Sequence, residues 1–107
     1  MRAGGLVFLS GQVPLDPSTG QLVQGDIATQ TRRVMDNLGA VLTAAGCGWA
    51  DVAKTTIYLA DLSNFGAVNE VYASYFREPF PARATVQVAA LPRGAQVEID
   101  MVAVPGA

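Results

Sequence analysis

The sequence predicts a single α+β domain over residues 1–107, in which two helices cover one face of a two-layer mixed sheet. Three observations support this fold class. Two segments repeat apolar residues at intervals of three and four, as amphipathic helices do. Short stretches rich in β-branched residues precede, separate and follow those segments. Half of the 107 residues are hydrophobic, which is enough for one packed core.

The first strand is predicted at residues 6–10, an apolar run bounded by Gly5 and Gly11. Residues 16–20 contain the proline, serine and glycine of a turn, and residues 21–23 are the expected return strand. Because glycine and proline fit poorly in a central strand, we expect this hairpin to be irregular.

A long amphipathic helix is predicted from Asp26, its N-cap, to Gly46, its left-handed C-cap. Its apolar stripe consists of Thr31, Val34, Met35, Leu38, Val41, Leu42 and Ala45. Four polar residues lie off the stripe and are expected to face water, namely Arg32, Arg33, Asp36 and Asn37.

The second half of the chain predicts a strand, a helix and a closing hairpin. Residues 53–60 contain the β-branched run of a strand. Residues 65–77 have the apolar spacing of a second helix, which ends before Pro79. Two alternating segments, 82–90 and 96–104, flank a turn of proline and glycine. We expect these two segments to pair with each other.

The register of this hairpin decides which side chains share a face. A turn centred between Arg93 and Gly94 places Arg83 and Glu98 together on the polar face, which is the candidate site. The opposite face, expected to join the core, takes Ala82, Ala84, Val86, Val88 and Ala90 from the first segment and Val97, Ile99, Met101 and Ala103 from the second.

The charge balance argues against several classes of protein. The net charge is −2, with seven basic and nine acidic residues, and no basic stripe interleaves with aromatic residues, so we expect no nucleic-acid partner. No apolar run reaches the roughly 18 residues of a membrane span, and no signal-peptide pattern is present, so we expect no membrane partner. The single cysteine, Cys47, excludes an intrachain disulfide and fits a cytoplasmic protein.

The chain contains no histidine, so the commonest metal ligand and the commonest general base are both missing. We therefore predict no metal, and chemistry based on carboxylate, guanidinium, hydroxyl or backbone groups. Cys47 has no histidine to activate it and is expected to be a small buried residue.

Four stretches together resemble the Rid (reactive intermediate deaminase) family, also called YjgF-like. They are LVFLSGQ at 6–12, KTTIYL at 54–59, FGAVN at 65–69 and PARATVQVAALPRGAQVEID at 81–100. The resemblance covers nearly the whole chain. It implies a homotrimer of a chorismate-mutase-like α+β fold, with the sheets facing inward and the sites in clefts between subunits. It also implies a small imino or 2-oxo acid as the ligand.

Arg83 is the first candidate site residue. Its spacing alone favours an ordinary surface salt bridge. However, the stiff apolar approach through Phe80 and Pro81 would hold it partly buried, where a planar guanidinium suits a carboxylate. The resemblance implies that Arg83 binds the substrate's carboxylate and acts in catalysis.

Glu98 is the second candidate. A glutamate on the polar face of a strand is most often simply solvated. Beside Arg83 and near a desolvated cleft, it could instead hold or partly deprotonate a water molecule. The resemblance implies that Glu98 positions the water that attacks an imine carbon. Asp100 has the same parity, but the resemblance assigns it no role, and we expect it to be structural.

Five further residues are expected to line the substrate pocket by their family positions, namely Asn69, Phe65, Ser10, Gly11 and Thr85. By themselves, an asparagine beside an apolar stripe is usually a helix-surface residue, and a Ser-Gly pair after a strand is a simple turn. Many Rid proteins have cysteine where this chain has Thr85, so a thiol effect is not expected there. The backbone of Thr85 would still bond the ligand.

One departure from the family concerns the N-terminus. Rid chains usually carry a preceding segment with a Gly-Pro-Tyr motif, whose tyrosine enters the site. This sequence has no tyrosine before Leu6, so we expect either that the native protein begins further upstream or that one wall of the pocket is absent.

Three functions are weighed. The leading hypothesis is a cofactor-independent deaminase of 2-imino or enamino acids. The alternative is a trimeric module that binds a small carboxylate without turnover. A ribonuclease or translation inhibitor, also attached to this family, is the weakest, because the chain is acidic and lacks both histidine and a basic patch.

Overall fold

The computed structural model describes residues 1–106 and confirms the predicted α+β architecture, with five strands in one mixed sheet and two α-helices. The strands are β1 (Arg2–Ala3), β2 (Leu6–Gln12), β3 (Val52–Leu59), β4 (Ala82–Gln87) and β5 (Val97–Ala103). The helices are α1 (Ile27–Ala44) and α2 (Phe65–Ala73). Short 3₁₀ turns occur at Trp49–Asp51, Leu62–Asn64 and Pro92–Gly94.

The strand order, β1-β2-β5-β3-β4, shows that the predicted closing hairpin is wrong. β5 lies between β2 and β3 and is antiparallel to both, whereas β4 is an edge strand parallel to β3. The cause is α2, because a helix between two strands returns the chain to the starting end of the sheet, and the strands it joins run parallel. The turn after β4 then takes the chain past β3 instead of folding it back on β4.

The side chains of β4 consequently face opposite to the prediction. Arg83 pairs with Thr55, which is fully buried and shares a hydrogen bond with Tyr72 of α2. Because residues that pair across a sheet point to the same face, Arg83 points toward the helices. The residues of this segment predicted for the core are half-buried at Val88 and exposed at Ala82, Ala84, Val86 and Ala90. In β5 the predicted core face is correct, since Val97, Ile99, Met101 and Ala103 are buried.

Helix α1 forms as predicted, with both caps. The Asp26 carboxylate accepts a hydrogen bond from the Thr29 amide at 2.8 Å. Gly46 takes a φ of 75°, and the Cys47 amide donates to the Leu42 carbonyl at 2.8 Å. These bonds satisfy backbone groups that a bare helix end would leave free.

Two details of α1 differ from the prediction. Val41, at the edge of the apolar stripe, is 38% exposed. Arg33 and Asn37 are half-buried rather than water-facing. Arg33 donates to the side-chain oxygen of Asn37, and Asn37 donates to the Leu15 carbonyl at 2.9 Å. The loop that contains Leu15 therefore covers this side of the helix.

The partner of β2 is not the predicted return strand. Residues 21–23 return against residues 14–16 instead, through a bridge between Leu15 and Leu22 and two backbone hydrogen bonds, so the expected irregular hairpin forms there. β2 instead pairs with β1 through Gly4 and Gly5, whose positive φ values of 60° and 81° favour glycine. The sequence carried no alternation that could reveal a strand as short as β1.

The core lies between the two helices and strands β2, β3 and β5. Helix α2 begins at Phe65 as predicted and ends at Ala73, before the predicted residue 77. The chain that follows packs Tyr75 and Phe76 against Trp49, with ring centres 5.3 Å apart in both pairs. No helix within residues 1–106 has both the length and the apolar character that a bilayer span requires.

Candidate functional site

Arg83 is held against helix α2 by uncharged partners. Its guanidinium donates a hydrogen bond to the side-chain oxygen of Asn69. The guanidinium carbon lies 5.1 Å from the ring centre of Phe65 and 5.2 Å from that of Tyr72. Such cation–π contacts hold a cation in place without neutralising it. The structure thus presents a fixed positive charge instead of the surface salt bridge that spacing alone favoured.

A pocket of about 370 Å³ lies beside this guanidinium. It is lined by Asn69, Tyr72, Ala73, Phe80, Pro81 and Arg83. Phe80 is 54% exposed and contributes an aromatic wall at the pocket's surface. One cation and one amide among apolar walls are typical of a site for a small carboxylate with an apolar body.

Tyr72 also supports this pocket, and no sequence motif indicated it as a site residue. Its hydroxyl shares a buried hydrogen bond of 2.8 Å with the Thr55 hydroxyl. Burial raises the pKa of Tyr72 above its ordinary value, so the phenol stays neutral beside Arg83. A position three residues after Asn69 on a helix lies on the same face, and that spacing could have identified Tyr72.

Thr85 lies on the same face of β4 as Arg83, two residues further along. Its hydroxyl oxygen is buried and has no hydrogen-bond partner among the described residues. Within residues 1–106, β4 pairs with β3 alone, so its outer edge offers free backbone groups to a ligand or a second chain. Contact between the Thr85 backbone and a ligand stays a prediction.

Glu98 belongs to a second cluster, on the face of the sheet that the helices leave open. In the sheet register it is opposite Tyr58. Ser10 and Gly11 lie at an irregularity of β2, where the pairing with β5 shifts between Leu9 and Gln12. A Cβ atom added to Gly11 would lie only 2.5 Å from the Oε2 atom of Glu98. The missing side chain of Gly11 therefore makes room for this carboxylate.

Asp100 is engaged within the same open face. The Tyr58 hydroxyl donates to its carboxylate at 3.0 Å. This hydrogen bond, with burial as a smaller contribution, raises the pKa of Tyr58. Because Asp100 is bonded to Tyr58, its observed contact is a structural one, as expected. Glu98 is the carboxylate that lies beside Gly11.

The two clusters do not meet within one chain, so the prediction that Arg83 and Glu98 share a face is wrong. Strand β3 lies between their strands, which separates them by two strand spacings, roughly 10 Å. In addition, Arg83 pairs with the buried Thr55, whereas Glu98 pairs with Tyr58 on the other face. The structure brings Arg83, Asn69 and Phe65 together, and it brings Ser10, Gly11 and Glu98 together.

Comparison with known proteins places this arrangement in a family. The family model described as Endoribonuclease L-PSP matches residues 1–105. A Mus musculus protein named 2-iminobutanoate/2-iminopropanoate deaminase is 54% identical over 100 residues, which are 94% of this chain and 74% of that protein. The solved structure of RidA from an Antarctic Psychrobacter has a TM-score of 0.92 and 43% identity, covering 97% of this chain and 84% of that one. The chain belongs to the Rid family.

A further Rid structure contains a ligand. It is Escherichia coli TdcF with bound serine, with a TM-score of 0.91 and 39% identity, covering 97% of this chain and 84% of that one. Serine has a carboxylate beside a nitrogen-bearing carbon. The family match and the RidA structure together confirm the sequence resemblance to the Rid family and the fold that it implied.

The remaining candidates for chemistry contribute little. Cys47 is half-buried after α1, and its sulfur lies 3.8 Å from the Ala45 carbonyl oxygen. Within residues 1–106, no group of three or more cysteine, aspartate or glutamate side chains is arranged to hold a metal ion. Arg83 and Glu98 are thus the groups on which a proposed reaction can be built.

Proposed function

We propose that this Rid protein is a cofactor-independent deaminase, which hydrolyses reactive 2-imino acids and their enamine tautomers to 2-oxo acids and ammonia. Substrates of this class include 2-iminopropanoate and 2-iminobutanoate. One observation carries the proposal, namely the Arg83 guanidinium fixed by uncharged partners at an apolar pocket. A fixed cation that forms no ion pair within residues 1–106 suits a substrate carboxylate. A relative named for this reaction supports the choice of substrate.

In the proposed reaction, Arg83 binds the carboxylate next to the imine, and Asn69 keeps the guanidinium in place. A water molecule attacks the imine carbon while Glu98 accepts one of its protons. That proton passes to the nitrogen and gives the carbinolamine. Glu98 then takes the hydroxyl proton and passes it to the nitrogen, so that the C–N bond breaks, the carbonyl forms and ammonia leaves. One water is consumed and one ammonia is released, and the step is redox-neutral.

The reaction makes a modest demand on the protein. Imines of this kind already hydrolyse in water, so orientation and electrostatics need to lower the barrier by only a few kcal/mol. Arg83 supplies orientation, because a bidentate carboxylate contact fixes the imine carbon relative to the protein. Glu98 supplies the proton acceptor.

The proposed site needs a second copy of the chain, since Arg83 and Glu98 lie on opposite faces of one sheet. The open face carries Phe8 and Val86, each 43% exposed, which is apolar surface that a second copy would cover. We propose a homotrimer in which Glu98, Ser10 and Gly11 of one copy complete the Arg83 pocket of the next. The single cysteine supports a cytoplasmic location.

The decisive experiment compares the parent chain with two arginine variants. Release of ammonia or 2-oxo acid is followed from enzymatically generated 2-iminopropanoate, with the rate in buffer as the baseline. We expect the parent to exceed the buffer rate, Arg83→Ala to fall to it, and Arg77→Ala, at an exposed arginine after α2, to keep the parent rate. An unchanged rate in Arg83→Ala would remove the proposal.

A binding module without turnover is the second candidate, and one observation favours it. The Arg83 pocket is lined by residues of one copy and does not include Glu98. Calorimetric binding of pyruvate by the parent, together with release at the buffer rate, would support the module. Glu98→Gln with parent-like pyruvate affinity and no turnover would support the deaminase.

RNA cleavage, which the family description names, is disfavoured by the surface of this chain. A net charge of −2 repels phosphates, and the absence of histidine removes the usual acid–base pair of ribonucleases. Any RNA cleavage should disappear on stringent repurification. Cleavage that persists through repurification would support a ribonuclease function.

A further inference from the structure

Strand β4 is linked at two points to the helical segment that packs on it, which consists of the 3₁₀ turn Leu62–Asn64 and α2. Only one of these links belongs to the site described so far. At the start of the strand, Arg83 bonds to Asn69. At its end, the side-chain oxygen of Gln87 accepts a hydrogen bond of 2.8 Å from the Leu62 amide. Arg83 and Gln87 are four residues apart in a strand, so they point to the same face.

Leu62 begins the 3₁₀ turn that runs directly into α2 at Phe65. Within this turn the Asp61 carboxylate accepts from the Ser63 amide at 2.9 Å, which is a local bond of the loop itself. In the described part of the chain, no side chain caps the start of α2. Gln87 therefore connects the beginning of the helical segment to the sheet.

We propose that Gln87 is a positioning residue for the Arg83 pocket. By holding the start of the helical segment on β4, it sets where Phe65 and Asn69 stand relative to the guanidinium. The two anchoring points are about 13 Å apart along the strand and roughly 10 Å apart along the helical segment, so together they fix its direction. This inference rests on the proposed function only for the identity of the ligand.

The role of Gln87 is geometric rather than stabilising. Gln87 is exposed and Leu62 is 47% exposed, so water can satisfy the Leu62 amide when the side chain is removed. Water does not fix the distance between a strand and a helix. Loss of the acceptor should therefore weaken ligand binding while leaving the unfolding temperature close to that of the parent.

Three variants test this role. Gln87→Met keeps the length of the side chain and removes the acceptor, whereas Gln87→Glu keeps an oxygen acceptor. Gln24→Met, at an exposed glutamine in the loop before α1, is the matched control. For each variant we would measure kcat and KM for 2-iminopropanoate, Kd for pyruvate, and the unfolding temperature.

We expect Gln87→Met to raise KM and Kd about threefold to tenfold, the scale of one hydrogen bond, with kcat and the unfolding temperature near parent values. Gln87→Glu and Gln24→Met should stay within about twofold of the parent in all three constants. Parent-like affinity in Gln87→Met, or equal weakening in Gln87→Met and Gln87→Glu, would overturn the proposal.

A readout independent of activity separates this inference from the proposed function. In ¹H–¹⁵N spectra, the side-chain signals of Arg83 and Asn69 in Gln87→Met should differ in position from those of the parent. In Gln87→Glu they should lie at the parent positions. A parent that neither accelerates hydrolysis nor binds pyruvate would remove the proposed function, and these spectra would still decide the role of Gln87. Unchanged signals in Gln87→Met would overturn it.

Discussion

The Arg83 and Glu98 clusters lie on opposite faces of one sheet and are built in different ways. Arg83 is held by side chains of helix α2, through an amide oxygen and two aromatic rings. Glu98 is held by the sheet itself, through its register with Tyr58 and the space that Gly11 leaves for its carboxylate. The first cluster depends on helix packing, and the second depends on strand pairing.

This difference indicates a division of roles between the two faces. The helix side offers a cation in an apolar pocket, which is suited to binding. The open side offers a half-buried carboxylate, which is suited to holding a water molecule. Because the faces point in opposite directions, a site that uses both requires two copies of the chain.

The largest expected effect comes from mixing two inactive variants. Arg83→Ala and Glu98→Gln chains, each inactive alone, would be unfolded, mixed in equal amounts and refolded together. In a cyclic assembly about a quarter of the sites then pair an intact Arg83 with an intact Glu98, so about a quarter of the parent's rate should return. The measurement is the release of 2-oxo acid.

The control for this experiment is the same mixture without unfolding, in which the copies of each variant stay together and the rate should remain at the buffer level. A refolded mixture that also stays at the buffer level, while refolded parent recovers its rate, would contradict a site shared between copies. The two clusters would then have to act separately.

Gly11→Ala should affect the open face alone. Its added Cβ would meet the Oε2 atom of Glu98 at 2.5 Å, so the carboxylate must move. We expect the rate to fall about tenfold to a hundredfold, as for a misplaced catalytic group, while Kd for pyruvate stays within about twofold of the parent. Gly48→Ala, where an added Cβ meets nothing within 4 Å, should leave both unchanged. Pyruvate binding that weakens together with the rate would contradict the separation of the two faces.

The smallest expected effect concerns the hydrogen bond that joins the segment after α2 to helix α1. The Tyr75 hydroxyl donates to Asp36 of α1 at 2.8 Å. Burial, followed by this hydrogen bond, raises the pKa of Tyr75 from 10.0 to about 12. Because the folded value is the higher one, the stabilisation is complete below pH 10 and is lost as the pH rises from 10 toward 12.

The unfolding temperature should therefore decrease across this interval, and it should decrease less steeply in Tyr75→Phe, which has no proton to lose. Thermal unfolding followed by circular dichroism at several pH values measures both slopes. Identical slopes in the two proteins would show that Tyr75 does not contribute to this pH dependence.

The local elements of the fold could be predicted from sequence because their causes are local. The caps at Asp26 and Gly46 are short-range hydrogen bonds and backbone preferences, and both form as expected. The spacing of apolar residues in α1 and the alternation in β5 likewise indicated the buried sides of these elements correctly, apart from the partly exposed Val41. The four motif stretches were sufficient to indicate the family.

The arrangement of the site could not be predicted in the same way. Alternation in a strand shows that Arg83, Thr85 and Gln87 share a face, but it does not show which face, because that depends on the strand with which they pair. Two neighbouring segments joined by a turn favoured a hairpin, whereas the crossover through α2 made β4 a parallel neighbour of β3. The link from Gln87 to Leu62 joins residues 25 positions apart and has no sequence signature.

The sequence by itself thus determined helix α1 with its caps, the start of α2, the core face of β5 and the residue types available for chemistry, since each follows from neighbours along the chain. Only the tertiary structure decided that Arg83 and Glu98 lie on opposite faces, because β4 takes its orientation from β3 and β5 takes its place between β2 and β3. The physical reason is that strand pairing satisfies backbone hydrogen bonds between distant segments, and the packing of α2 selects which segments can pair.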